Sequence, residues 1–263
     1  MSVDYSSKQV WDNRFAKHPD TFEWLDQPDE LLSLAKPQLA RDKNACVLHI
    51  GCGTSRLSFA LRDKLCVAPE NIINLDYSVN AIELGRAVEE GDPGSLPNRM
   101  HWIVSDLLDF DDLRQKLNDI GAPNISLIVE KSCSDALSCG YGFAIQSFKF
   151  STDAVAIEEI EPMQLLAIHL AAVVEPGSLW LALSYSSSRF DFLDSDFPVL
   201  LNGGADKAGQ LWTIAEHKEK EVQQPALDSS TVHRPPVMNH LYVLKRTDVP
   251  VVVRGAELES IYD

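Results

Sequence analysis

Apolar runs of four to six residues recur along the first 185 positions, separated by segments with helical spacing. "CVLHI" (46–50) precedes "SRLSFALRDKL" (55–65), where Leu57, Ala60, Leu61 and Leu65 share one helical face. "NIINLD" (71–76) precedes "SVNAIELGRAVEE" (78–90), with Ser78 placed as its N-cap. "HWIVSD" (101–106) leads into a helix over about 110–118, and "ISLIVE" (125–130) is the next strand. "MQLLAIHLAAVV" (163–174) is a strong helix stopped by "EPGS" (175–178), and "LWLALSY" (179–185) is another buried strand. The runs are apolar throughout rather than alternating, as expected for parallel strands covered on both faces. Strand alternating with helix predicts an α/β fold: a doubly wound, mostly parallel, Rossmann-like sheet.

The pattern changes at 186. Residues 186–236 are rich in Ser, Asp, Gly and Pro, with Phe190, Phe192, Leu193, Phe197 and Trp212 scattered among them. "NHLYVLKRT" (239–247) reads as a last strand. One domain over 1–263 is expected: an N-terminal helical cap (1–40), a core (41–185), an insertion (186–236), and a final strand with its tail (237–263). The insertion is either a surface loop or, given its aromatics, a substrate lid.

Composition narrows the function. The net charge of −16 repels phosphate backbones and anionic lipid, so neither nucleic acid nor membrane is expected as a partner, whereas a basic protein is compatible. No apolar run reaches the ~20 residues of a bilayer span. The N-terminus has no apolar signal core, so a cytoplasmic protein is expected. Five cysteines without a C-x-x-C pair argue against a disulfide framework or a zinc site, and no metal is expected.

The chemistry gathers at strand ends. Gly51 and Gly53 follow the first strand, where bare backbone admits a ligand and a helix N-terminus follows; a glycine turn of this kind also serves close strand–helix packing. The third glycine of a dinucleotide fingerprint is absent, and Arg56 stands in its place. Asp76 ends the second strand, 25 residues after Gly51, where an acid can accept from both ribose hydroxyls or simply cap the next helix. Asp106 and Glu130 end the next two strands. Ligands of open α/β sheets bind beyond the carboxyl ends of strands, so these residues face one crevice.

Gly51-Cys52-Gly53 after "VLHI", then Asp76, Asp106-Leu107 and "ISLIVEKSCSDAL", resemble the class I S-adenosylmethionine-dependent methyltransferases. The resemblance implies a seven-stranded sheet and S-adenosylmethionine as cofactor. It also implies a cofactor site of Trp11, Arg14, Gly51, Cys52, Gly53, Asp76, Tyr77, Asp106, Leu107 and Glu130. "VWDNRF" (10–15), "FEWL" (22–25) and "EKSCSDAL" (130–137) are similar to a subgroup that includes translation elongation factor lysine methyltransferases. Its "DKGTLDA" is matched at Glu130, Lys131, Asp135 and Ala136; Ser132 stands for Gly and Cys133-Ser134 for Thr-Leu. Within this likeness Arg14 would hold the cofactor carboxylate through its guanidinium fork, with Trp11 beside it. Trp24 would close over the acceptor. On spacing alone, core packing of an amphipathic helix is the favoured reading of Trp11 and Trp24, and Arg14 also fits an exposed ion pair.

The chain also resembles the fungal bis-thiomethyltransferase type that acts on gliotoxin. That likeness makes thiol S-methylation of a hydrophobic small molecule, in secondary metabolism or detoxification, the leading expectation. Trp24, Phe190, Phe192 and Trp212 would form the acceptor cage. A thiol supplies some thiolate at neutral pH, so no dedicated base is required, and Asp135 is the nearest carboxylate. The competing expectation is lysine methylation of a translation factor or other basic protein. A third is a cofactor-binding regulatory protein that has lost transfer.

Overall fold

The computed structural model describes residues 3–92, 98–122, 124–145, 159–193, 211–222, 236–251 and 258–260. Its centre is a seven-stranded sheet. Strands β1 (Cys46–Ile50), β2 (Ile72–Asp76), β3 (His101–Val104), β4 (Ile125–Lys131) and β7 (Val174–Ser184) run parallel. β9 (Met238–Arg246) pairs antiparallel with β7, and β8 (Trp212–Glu221) antiparallel with β9 at the edge. The order is β3-β2-β1-β4-β7-β9-β8, so the chain reverses its winding between β1 and β4. The crevice above that switch point is where such sheets bind ligands. A second, three-stranded sheet orders β10 (Leu258–Ser260), β5 (Phe143–Ile145) and β6 (Glu159–Ile160).

Every residue of β1 and β2 is buried. Two apolar clusters account for this, one on each face. Leu48, Ile50, Leu75 and Ile128 pack toward α5 (Phe110–Asp119) and α7 (Pro162–Val173), while Val47, Ile72, Leu127 and Val129 pack toward α2 (Asp29–Arg41) and α3 (Leu57–Leu65). Burial on both sides is why the strands read as unbroken apolar runs. α7 is buried on nearly every side and starts at a capping box between Glu161 and Gln164. Ser78 caps α4 (Val79–Glu90), accepting the Ala81 N–H at 3.3 Å.

Two boundaries differ from the sequence reading. β7 extends back through "EPGS" to Val174, because Val174 pairs with Ile125 across a register shift in β4. The segment 186–236 is not wholly irregular: Trp212–Glu221 forms the edge strand β8. Its residues 194–210 and 223–235 lie outside the described residues, as does Phe197. At the N-terminus, α1 (Lys8–Lys17) and α2 are separated by a non-helical stretch, 18–28, that carries Phe22, Glu23 and Trp24. Among the described residues, no helix is long and apolar enough to cross a membrane.

Candidate functional site

Beyond the carboxyl ends of β1–β4 lies a cavity of about 380 Å³, within the ~300–1,000 Å³ typical of small-molecule sites. Gly51 and Gly53 form its floor at φ +54° and +49°. A Cβ on Gly51 would lie 2.5 Å from Cys133 Sγ, so glycine there serves close packing against the start of α6 (Cys133–Leu137) as well as the turn. Gly53 donates its N–H to Asp76 Oδ2 at 2.9 Å, and Ser78 N–H donates to Oδ1 at 2.8 Å. Asp76 therefore ties the glycine loop to the N-terminus of α4 while its side chain borders the cavity. Burial pushes its carboxyl up to about 6, against the pull of those two N–H groups; Asp12 adds to the rise and Lys8 opposes it.

Leu107 and Asp106 also line the cavity, Asp106 exposed and accepting the Leu108 N–H at 2.9 Å. Next to them Ser105 is buried, and its hydroxyl has no hydrogen-bond partner among the described residues. Cys52 and Tyr77 complete this side, and burial drives both groups well above their usual ranges, so each stays neutral. His49 borders the cavity from β1. Its Nδ1 lies 2.7 Å from Ser58 Oγ, and burial lowers it to about 3, which fixes a neutral imidazole at physiological pH.

The opposite wall is aromatic, and the N-terminal segment supplies it. Tyr5, Trp11, Phe15, Phe22 and Trp24 all line the cavity. Trp24 meets Phe22, Tyr5 and Trp11 edge-on, at centroid distances of 5.4, 5.5 and 5.7 Å. Trp11 Nε1 donates to the Tyr5 carbonyl at 2.7 Å, which fixes the ring. Asp135, buried, and Tyr185, exposed, also line the cavity, from α6 and the end of β7. Three donors hold the Asp135 carboxylate: Ser184 Oγ at 2.5 Å, Arg189 Nε at 2.9 Å and Tyr185 N–H at 3.1 Å.

Five expected site residues lie elsewhere. Arg14 does not border the cavity; its guanidinium sits 3.7 Å over the Phe22 ring, and Lys8 and Lys131 are the lysines on the cavity wall. Glu130 is fully buried beneath the site, accepting the Ser134 N–H at 2.8 Å, and burial raises its carboxyl to about 7. Phe190 and Trp212 are fully buried in the core: Trp180 meets both, at 5.1 and 5.5 Å, and Trp212 Nε1 donates to the Ala167 carbonyl at 2.8 Å. Phe192 packs beside Phe190. The acceptor cage expected from 190–212 is thus corrected. Phe190 and Trp212 close over Trp180 of β7 and reach Tyr242 of β9 and the Ala167 carbonyl of α7, so they cover the core rather than the cavity.

Sequence reasoning also missed the role of Glu23. Its Oε1 accepts the Arg56 N–H at 2.6 Å; its Oε2 accepts the Ser55 hydroxyl at 2.9 Å and the Lys131 ammonium. "FEW" and "EK" were both legible as motifs, but nothing in either shows that Glu23 and Lys131 meet. The carboxylate stands at the N-terminus of α3, where a dinucleotide's pyrophosphate would sit, so an anion placed there meets like charge. The departure at Ser132 has a cost as well: this residue lies at φ +58°, a conformation that favours the glycine of the related pattern.

A scan of protein-family models finds no match to the sequence, and a search of curated proteins finds none. Solved structures do resemble it. The N-methyltransferase NodS from Bradyrhizobium japonicum WM9, in complex with S-adenosyl-L-homocysteine, matches with a TM-score of 0.54 and 14% identity, over 93% of this chain and 99% of that one. Magnesium protoporphyrin IX methyltransferase from Synechocystis PCC 6803, with bound S-adenosylmethionine, matches with a TM-score of 0.51 and 11% identity, over 93% and 98%. The chain has the fold of S-adenosylmethionine-dependent methyltransferases.

Proposed function

We propose that the protein is an S-adenosylmethionine-dependent methyltransferase whose acceptor is an amine on a basic protein. The observation that carries the donor assignment is the joint placement around one cavity at the switch point of Gly51, Gly53, Asp76, Asp106 and the Ser105 hydroxyl, which has no partner among the described residues. These groups suit a nucleoside with a cationic tail: Asp76 at the ribose, Asp106 and Ser105 at the base, and the glycine turn at the amino-acid end. Bound S-adenosylmethionine supplies an electrophilic methyl group on a sulfonium. The chain's own task is alignment and exclusion of water, which the aromatic wall of Trp11, Phe22 and Trp24 supports.

At the acceptor side, Asp135 lines the cavity and is held by three donors, one of them the Arg189 guanidinium. It can hydrogen-bond an incoming amine, whose ammonium proton passes to water before the neutral nitrogen attacks; the N–CH3 bond then forms as the S–CH3 bond breaks, leaving S-adenosylhomocysteine. Tyr5 and Tyr185, 37% and 53% exposed, line the same cavity, and an aromatic lining suits a cationic acceptor. The net charge of −16 favours approach of a basic partner. The thiol reading drew on a cage of Trp24, Phe190, Phe192 and Trp212, of which Trp24 lines the cavity and the other three do not.

The test is transfer of labelled methyl from S-adenosylmethionine to a basic protein fraction, run beside a panel of reduced dithiols. Label on lysine or an N-terminal amine supports the amine reading; label on dithiols alone overturns it. Asp76→Ala is expected to weaken S-adenosylhomocysteine binding, read by calorimetry, about 10–100-fold. Unchanged affinity would refute the ribose assignment.

A further inference from the structure

Residues 20–26 are fastened to the cavity floor at three consecutive positions. Thr54 Oγ1 accepts the Phe22 N–H at 3.2 Å and donates to the Asp20 carbonyl at 3.1 Å. Ser55 and the Arg56 N–H both donate to Glu23, as does Lys131, which also donates to the Asp26 carbonyl at 2.5 Å. The segment is strained where it turns. Leu25 lies at φ +65°, between Trp24 and Asp26, whose C=O and N–H close a tight turn at 2.9 Å. A bulky residue adopts that backbone only when its surroundings enforce it. Here the Glu23 and Lys131 bonds, one residue to either side of Trp24 and Leu25, do so.

We infer that Glu23 is a positioning residue that couples the two halves of the crevice: the glycine loop and Lys131 on one side, and the Trp24 wall on the other. One carboxylate sets both. Gly53, Thr54, Ser55 and Lys131 line the cavity from below, and Phe22 and Trp24 line it from above. A ligand that settles the loop therefore settles Glu23 and, through Glu23, the wall against which the acceptor lies. Coupling of this kind is reciprocal, so an acceptor held by Trp24 strengthens donor binding by the same factor. The inference rests on the donor reading above.

The test uses the full chain and S-adenosylhomocysteine. Hydrogen exchange on the wild type should show protection of residues 20–26 rising together with that of 51–56 when the ligand is added. Protection confined to 51–56 would overturn the coupling. In Glu23→Gln the amide faces Lys131 without charge. Affinity for S-adenosylhomocysteine should fall about tenfold, and the ligand-induced change in Trp24 emission (the difference between chains with Trp24 and with Trp24→Phe) should vanish. Glu23→Asp, which keeps the charge, should restore part of both. If Glu23→Gln melts as the wild type does, yet binds and responds as the wild type does, the inference is wrong while the donor reading stands. If the wild type itself binds no S-adenosylhomocysteine, both fall together.

Discussion

On the donor side of the crevice, each polar group arrives at the end of its own buried strand. On the acceptor side, the wall comes from a non-helical stretch 18–28 that must be brought back over the sheet. Gly51, Asp76 and Asp106 owe their positions to β1, β2 and β3, whose parallel register aligns their ends. Trp24 owes its position to Glu23, Lys131 and a strained turn at Leu25. The first kind of placement is local and repeats from strand to strand. The second is a set of contacts between residues 32 to 108 positions apart, and it has no periodic signal.

The same contrast separates the two aromatic groups. Rings at 5–24 line the cavity, whereas Phe190 and Trp212, which look similar in sequence, are sealed in the core. The largest expected effect tests this division. Trp212→Ala should destabilise the fold by about 3–5 kcal/mol in urea titration, as loss of a fully buried indole does. The folded fraction should bind S-adenosylhomocysteine unchanged. Loss of affinity without loss of stability would return Trp212 to the site.

A smaller effect is expected at the floor. Gly51→Ala meets Cys133 and keeps a positive φ, so it should cost about 2–4 kcal/mol. Adding Cys133→Gly should recover part of that loss, because the clash involves both Cβ and Sγ of Cys133. No recovery would mean that backbone strain accounts for the whole cost.

The smallest effect concerns the carboxylates beneath the site. Burial raises Glu130 from 4.5 to about 7. A carboxyl raised on folding contributes stability that is full below its unfolded value and is lost as pH rises through its folded one. The wild type should therefore lose stability between about pH 5 and 8, and Glu130→Gln, which can still accept the Ser134 N–H, should lose less. The variant should gain on the wild type by roughly 1–3 kcal/mol across that range in thermal melts. A difference that does not depend on pH would show that Glu130 keeps its charge in the fold.

Much of the donor side was legible because burial on both faces of a parallel sheet leaves a strong trace: apolar runs that end in Gly, Asp and Asp. The N-cap at Ser78 was legible for a similarly local reason. Glu130 was correctly read as a strand end, but its side chain turns under α6 to the Ser134 N–H, which only the packing of that helix reveals. The family likeness implies a carboxylate ligand at Arg14, whereas the bend of 18–28 lays Phe22 beneath its guanidinium. The strand within 186–236 leaves little trace in the sequence, because an edge strand is largely exposed and its "EHKEKE" reads as a solvated run.

The sequence by itself determined the alternation of strands and helices, and with it the order in which Gly51, Asp76 and Asp106 reach one edge of the sheet. Those features follow from burial and hydrogen-bond geometry within short segments. Which aromatics face the cavity, and how a single carboxylate at Glu23 joins the loop, Lys131 and Trp24, was decided only by the tertiary structure. Such choices depend on which distant segment covers which face, and that competition is settled when the whole chain packs.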